Sequence, residues 1–109
     1  FLSNSLRMGV LGWSKALSDE VAPKGVTVNS VCPGSTRTAR ITNIFQSQSE
    51  AMGKTIEEIE SHAAANIPML RIGEPKELAA LIAFLASERA SYMTGLAIQV
   101  DGGSARTFY

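Results

Sequence analysis

Cysteine, histidine and tryptophan occur once each in these 109 residues, and charge of either sign is balanced, ten Lys and Arg against ten Asp and Glu. A single thiol, Cys32, excludes an internal disulfide framework and fits a reducing cytoplasm. Cys32 itself reads as a small buried hydrophobe. His62 has no metal-type ligand or carboxylate partner at useful spacing, so it reads as an exposed or structural histidine and no metal site is expected. Zero net charge removes the electrostatic reason to expect nucleic acid or an anionic membrane as partner. No apolar run approaches the ~18 residues needed to span a bilayer. A helical pattern from the first residues leaves no signal peptide to read. No G-x-G-x-x-G loop opens a helix after a strand, so nothing in the chain alone cradles a pyrophosphate. What is left is one globular domain at most, with 45% hydrophobic residues to build a core.

Leu2, Leu6, Val10, Trp13, Leu17 and Val21 recur at helical spacing, and Pro23 and Gly25 stop the pattern, so a helix is expected over roughly 3–22. Gly9, Gly12 and Ala16 put small side chains on a neighbouring face, which suggests close packing against another element. "VTVNSVC" (26–32) reads as a β-branched strand ended by Pro33-Gly34. Residues 35–74 are polar and mixed, with two weak helical stretches separated near Gly53. "PKELAALIAFLASER" (75–89) is a strong helix with Pro75 in its first turn and Leu78, Leu81, Ile82 and Leu85 as its buried face. "LAIQV" (96–100) is a short strand closed by Asp101-Gly102-Gly103.

Strands separated by helices imply parallel βαβ geometry. Two strands do not cover a core by themselves, so the expected fold is α/β, the second half of a larger domain whose other half supplies the remaining strands.

"GWSKALSDEVAPKGVTVNSVCPGSTRT" followed by "RIGEPKELAALIAFLASERASYMTGLAIQVDGG" resembles the C-terminal half of a short-chain dehydrogenase/reductase, in the subgroup similar to 3-oxoacyl-acyl-carrier-protein reductases. The likeness runs from Ser3 to Gly103, in ordered motifs. It implies a doubly wound, Rossmann-like parallel sheet that binds NAD or NADP. It makes residues 1–109 the C-terminal part of one such domain, with 35–74 as the substrate-lid excursion. It also implies dimers or tetramers, a small carbonyl substrate, and an N-terminal half carrying the dinucleotide loop.

Aligned on Gly12, Leu17 and "APKGVTVN", the family's catalytic tyrosine falls at Ser3 and its lysine at Arg7. By resemblance the pair is catalytic, with Arg7 holding the nicotinamide ribose as a permanent multidentate donor. A serine hydroxyl is shorter and a much weaker acid than a tyrosine's, and needs a separate base. Without the alignment, Ser3, Asn4 and Ser5 are helix caps and Arg7 is a solvated side chain. Pro33 and Gly34 end a strand, where ligands bind in open α/β sheets. By resemblance Thr36 lies near the nicotinamide carboxamide and Thr38 near the pyrophosphate; the plainer reading has Thr38 capping the helix from Ala39.

Arg37 and Arg40 are the cations available to an anionic substrate group, set against ordinary surface arginines. "EEIE" (57–60) reads as a solvated face. Arg71, Glu74 and Glu77 are expected to tie the turn before the last helix, and "VDGG" to be a structural turn. The leading expectation is an NAD(P)-linked oxidoreductase acting on a carbonyl/alcohol pair. Against it stand a nucleotide-binding or structural subunit without turnover, and an incidental fragment that associates through exposed edges.

Overall fold

The computed structural model describes residues 2–106; Phe1, on which the reading of the chain's start rests, and residues 107–109 lie outside the described residues. In chain order come α1 (Leu2–Val21), a 3₁₀ turn (Ala22–Lys24), β1 (Ser30–Pro33), α2 (Ala39–Met52), α3 (Ile56–Ala64), α4 (Pro75–Leu85), a second 3₁₀ turn (Glu88–Ala90) and β2 (Ala97–Val100). β1 and β2 pair as a two-stranded sheet. Ser30 N donates to Leu96 O at 2.7 Å and Gly34 N to Val100 O at 2.9 Å, so the register advances in the same direction on both strands and the pair is parallel. The fold is α/β, as the alternation of helices and strands requires.

The chain divides into two compact units, and the division falls within β1, α4 and β2. The first takes residues up to Cys32 and Ala80–Ile98. Its α1 ends where Pro23 and Gly25 were expected to stop it. The strand expected at 26–32 begins only at Ser30, because side chains take over the pairing before it. Val28 N donates to Thr94 Oγ1 at 3.0 Å, Asn29 Nδ2 to Met93 O at 3.1 Å, and Leu96 N to Asn29 Oδ1 at 3.2 Å. Gly95 backs onto α1: a Cβ there would lie 2.7 Å from Lys15 Nζ and 2.9 Å from Ser18 Oγ. Ser18 is accordingly buried, its hydroxyl donating to Lys15 O at 2.7 Å.

Burial along this unit's helices departs from the expectation. Leu2, Leu6, Val10 and Trp13 are all exposed, and a Cβ on Gly9 or Gly12 would meet nothing within 4 Å. The stripe and the small-residue face exist, but only the end of the stripe, Leu17 and Val21, is half-buried among the described residues. In α4, Leu78, Leu81 and Leu85 are half-buried while Ile82 is 50% exposed. That helix stops at Leu85 rather than 89, because Ser87 turns its hydroxyl onto Phe84 O at 2.6 Å and a 3₁₀ turn follows.

The second unit takes Pro33–Ala79 and the stretch from Gln99. Here Phe45 of α2, Ile59 of α3, Ile67 and Ile72 bury one another, with Ile41 packed alongside. Thr38 and Thr55 cap α2 and α3, accepting from Ile41 N and Glu58 N. The 35–74 excursion is therefore a folded pair of helices with its own core, not a loose loop.

Candidate functional site at the strand ends

Gly34 stands where β1 ends, and no larger residue fits there. A Cβ would come within 2.7 Å of Asp101 Cβ and 2.8 Å of its Cα, both part of the turn after β2. That turn is built on Asp101, whose carboxylate accepts from Gly103 N and Ala105 N at 2.9 Å each. "VDGG" is thus the structural turn it was expected to be. Beyond Gly34 the chain does not run free. Gly73 N donates to Ser35 O at 2.9 Å and Arg37 N to Gly73 O at 2.8 Å, a parallel bridge between Thr36 and Gly73.

A cleft of about 240 Å³ opens beside this bridge, lined among others by Thr36, Arg71, Gly73, Glu74, Glu77 and Asp101. Part of its charged rim is paired within the rim itself. Arg71 grips Glu77 with two parallel bonds, Nη1 to Oε1 at 2.7 Å and Nη2 to Oε2 at 2.8 Å. Glu77 Oε1 also accepts from Glu74 N at 2.9 Å, one arm of a capping box at the start of α4. The Arg71 hydrogen bond, and after it the Glu74 amide, lowers the Glu77 carboxyl to about 2. The same contact raises the Arg71 guanidinium above its ordinary value. Arg71, Glu74 and Glu77 tie this turn as expected.

The sequence-derived candidates fall into two groups. Ser3 and Arg7 lie one turn apart on α1, in the first unit, on one helix face and exposed. Neither makes a side-chain hydrogen bond among the described residues. Pro33, Gly34, Thr36 and Thr38 are brought together in the second unit. Thr36 is half-buried and its hydroxyl donates to Gly34 O at 3.2 Å. Thr38 is exposed and fits the N-cap reading, its hydroxyl accepting from Ile41 N at 3.4 Å.

Of the two arginines weighed for an anionic group, Arg37 is already paired: Nε donates to Glu74 Oε1 at 3.0 Å and Nη2 to Glu60 Oε1, and these bonds, Glu60 first, raise its guanidinium further above the ordinary value. Glu60 is correspondingly half-buried rather than part of a solvated face. Partners at positions 37, 60 and 74 share no local spacing, which is why sequence reasoning missed them. Arg40 remains exposed, and lines a shallow open depression on α2 with Asn43, Ile44, Ser47 and Gln48. His62 is exposed, Cys32 is a half-buried free thiol, and no cluster of metal-ligating side chains occurs among the described residues. Among these residues no helix is long and apolar enough to cross a membrane.

The family model described as enoyl-(acyl carrier protein) reductase matches residues 3–105. A monensin polyketide synthase putative ketoacyl reductase of Streptomyces virginiae is 43% identical over 95 residues, 87% of this chain and 36% of its own length. L-sorbose reductase of Gluconobacter frateurii, complexed with NADPH and L-sorbose, matches with a TM-score of 0.90 at 31% identity, over 96% of this chain and 40% of that one. A short-chain oxidoreductase of Pseudomonas aeruginosa PAO1 containing an atypical catalytic center matches with a TM-score of 0.84 at 34% identity, over 95% and 40%. The chain therefore spans well under half the length of these relatives.

Proposed function

The chain belongs to the short-chain dehydrogenase/reductase family, and from that premise we propose that it forms the C-terminal part of one NAD(P)-linked reductase domain acting on a carbonyl/alcohol pair. The observation that carries this reading is the Pro33–Thr38 segment at the carboxyl end of a parallel strand pair, where open α/β sheets bind ligands. The likeness to a ketoacyl reductase and to an NADPH-complexed sugar reductase supports it. In this reading residues 35–74 are the substrate-lid excursion, and Arg40 is the cation left to receive an anionic substrate group.

The donor set suits a nicotinamide dinucleotide. The Thr36 hydroxyl spends its proton on Gly34 O, leaving a lone pair to accept from a carboxamide N–H. Thr38 Oγ1 accepts from Ile41 N and keeps its own proton for a phosphate oxygen. Arg7 offers an exposed, permanently charged guanidinium to ribose hydroxyls. The nucleotide, NAD or NADP, supplies or takes the hydride when bound. Ser3, at the position of the family's tyrosine, is left with the proton, and without a base it moves that proton poorly. The likeness to a relative with an atypical catalytic center supports an enzymatic role for an unusual Ser3–Arg7 pair.

A second reading is a subunit that binds nucleotide without turnover. It is favoured by one observation: Ser3 has no hydrogen-bond partner among the described side chains to activate it. Under either reading the bare apolar stripe of α1 is covered by the remainder of the domain or by a further copy, making a homo-oligomer.

Denaturing and native mass spectrometry come first, to establish whether a companion polypeptide travels with the 11.6 kDa species. NADPH titration of the assembly follows. Ser3→Tyr together with Arg7→Lys then raises turnover on a ketone panel at least about a hundredfold, the lower end of what a positioned acid contributes. A double variant that binds NADPH as the parent does and stays inert removes the enzymatic reading and leaves the binding one. Absence of both NADPH and NADH binding by the assembly removes both and leaves an incidental fragment.

A further inference from the structure

Arg37 stands between the two candidate hydroxyls, Thr36 and Thr38, and its guanidinium reaches carboxylates from two other parts of the second unit. Glu60 lies on α3 and Glu74 immediately precedes α4. Glu60 and Glu74 share one cation, so without it two like charges would face each other across that space. A planar guanidinium can serve both at once because its donors point in fixed, divergent directions; a lysine ammonium presents a single point charge. The pairs are partly exposed, with 43% of the Arg37 side chain and 26% of Glu60's accessible, so neither bond counts for much in isolation. What gives them consequence is the backbone beneath. The same residue donates its amide to Gly73 O, and Gly73 returns a bond to Ser35 O. Side chain and main chain thus fasten the same four residues, 35–38.

We propose that Arg37 is a positioning residue that clamps the Thr36–Thr38 hydroxyl segment to α3 through Glu60 and to the start of α4 through Glu74, so that the seat of the lid helix sets how well the cofactor-facing hydroxyls are presented. The inference rests on reading Thr36 and Thr38 as cofactor-facing.

The test pairs a readout that needs no cofactor, made on this chain, with one that does, made on the assembly that includes the remainder of the domain. Hydrogen exchange at the Gly73 amide reports the bridge to Ser35 directly. Arg37→Ala raises that exchange about tenfold, the scale of a local opening made easier by loss of a small network. Glu60→Gln raises it less, and Arg37→Lys restores part of the protection. NADPH titration of the same variants then shows a parallel rise in Kd, largest for Arg37→Ala. If Arg37→Ala does not fold, Glu60→Gln and Arg37→Lys decide the matter on the same two readouts. Exchange at Gly73 that does not change overturns the clamp. Raised exchange with an unaltered Kd, in a protein that binds NADPH, overturns the positioning role. A parent assembly that binds neither NADPH nor NADH defeats the cofactor reading instead, and the exchange data then support or overturn the clamp by themselves.

Discussion

Residues 33–79 with 99–106 bury Phe45, Ile59, Ile67 and Ile72 against one another, whereas residues 2–32 with 80–98 bury little beyond Ser18 and Ala90. The second unit is held by an apolar core, two capped helices and a rim of ion pairs. The first is held by directional bonds between residues 28–30 and 93–96, with its largest apolar side chains in water. Both stretches carry amphipathic patterns of similar quality in the sequence. The difference lies in what is available to pack on each stripe. A periodic apolar face states that a helix is to be covered; it does not state by what. In the second unit the cover is supplied within residues 33–79. In the first, no described residue supplies it to Leu2, Leu6, Val10 and Trp13, which is why α1 is given an external cover there.

The largest effect that tests this contrast is in the apolar core. Phe45→Ala removes a ring that is 7% exposed and contacts both helices' core residues, and should cost about 3–5 kcal/mol in urea unfolding. A loss below about 1 kcal/mol would mean that the second unit is no better packed than the first. Next comes the polar seam of the first unit. Asn29→Ala leaves Met93 O and Leu96 N without their partner and should cost about 1–3 kcal/mol, with faster amide exchange at Leu96. If Asn29→Ala were as damaging as Phe45→Ala, directional bonds and apolar burial would be equivalent supports here.

The rim of the second unit should matter less again, and only at one end of the pH scale. The Glu77 carboxyl has a folded-state value of about 2, below its ordinary 4.5, chiefly through its bond to Arg71. A depressed carboxyl contributes stability that is fully present above the unfolded value and is lost as pH falls through the folded one. The expected outcome is a fall in Tm between about pH 4.5 and 2 that is shallower in Glu77→Gln than in the parent. At neutral pH the variant should lose less than Asn29→Ala does, because water screens the pair. Equal slopes for parent and variant would place the acid sensitivity of this unit elsewhere.

These orderings also explain what was readable in advance. Local chemistry was legible: Pro23 and Gly25 ending α1, Pro75 opening α4, Thr38 as a cap, and Asp101 folding its own turn. The Arg71–Glu77 tie was legible because its members lie six residues apart, around a turn. The late start of β1 was not, since it depends on Asn29 and on Thr94, 66 residues from Val28, taking the backbone's partners. Nor was the double pairing of Arg37, whose carboxylates lie 23 and 37 residues away. The candidate site shows the same split. Pro33-Gly34 announces a strand end from residue type alone, and Gly34 proves to be required by Asp101. Ser3 and Arg7 acquire meaning only through resemblance; physically they are two exposed polar side chains on one turn of helix.

The smallest expected effect sharpens the contrast most. Trp13 is 64% exposed on the α1 stripe, so Trp13→Ala in this chain alone should change stability by no more than about 0.5 kcal/mol. As the only tryptophan, its emission should match a solvated indole. Addition of the remainder of the domain, or self-association at rising concentration, should shift that emission to the blue as the ring leaves water. In the covered state the same substitution becomes a core deletion and should cost about 3–5 kcal/mol. The two Trp13→Ala measurements, made on the same residue with and without its cover, isolate the absent partner from every other difference between the units. An emission that stays red in every assembly would mean that the α1 stripe is solvent-facing by design, and that the first unit is complete on its polar seam alone.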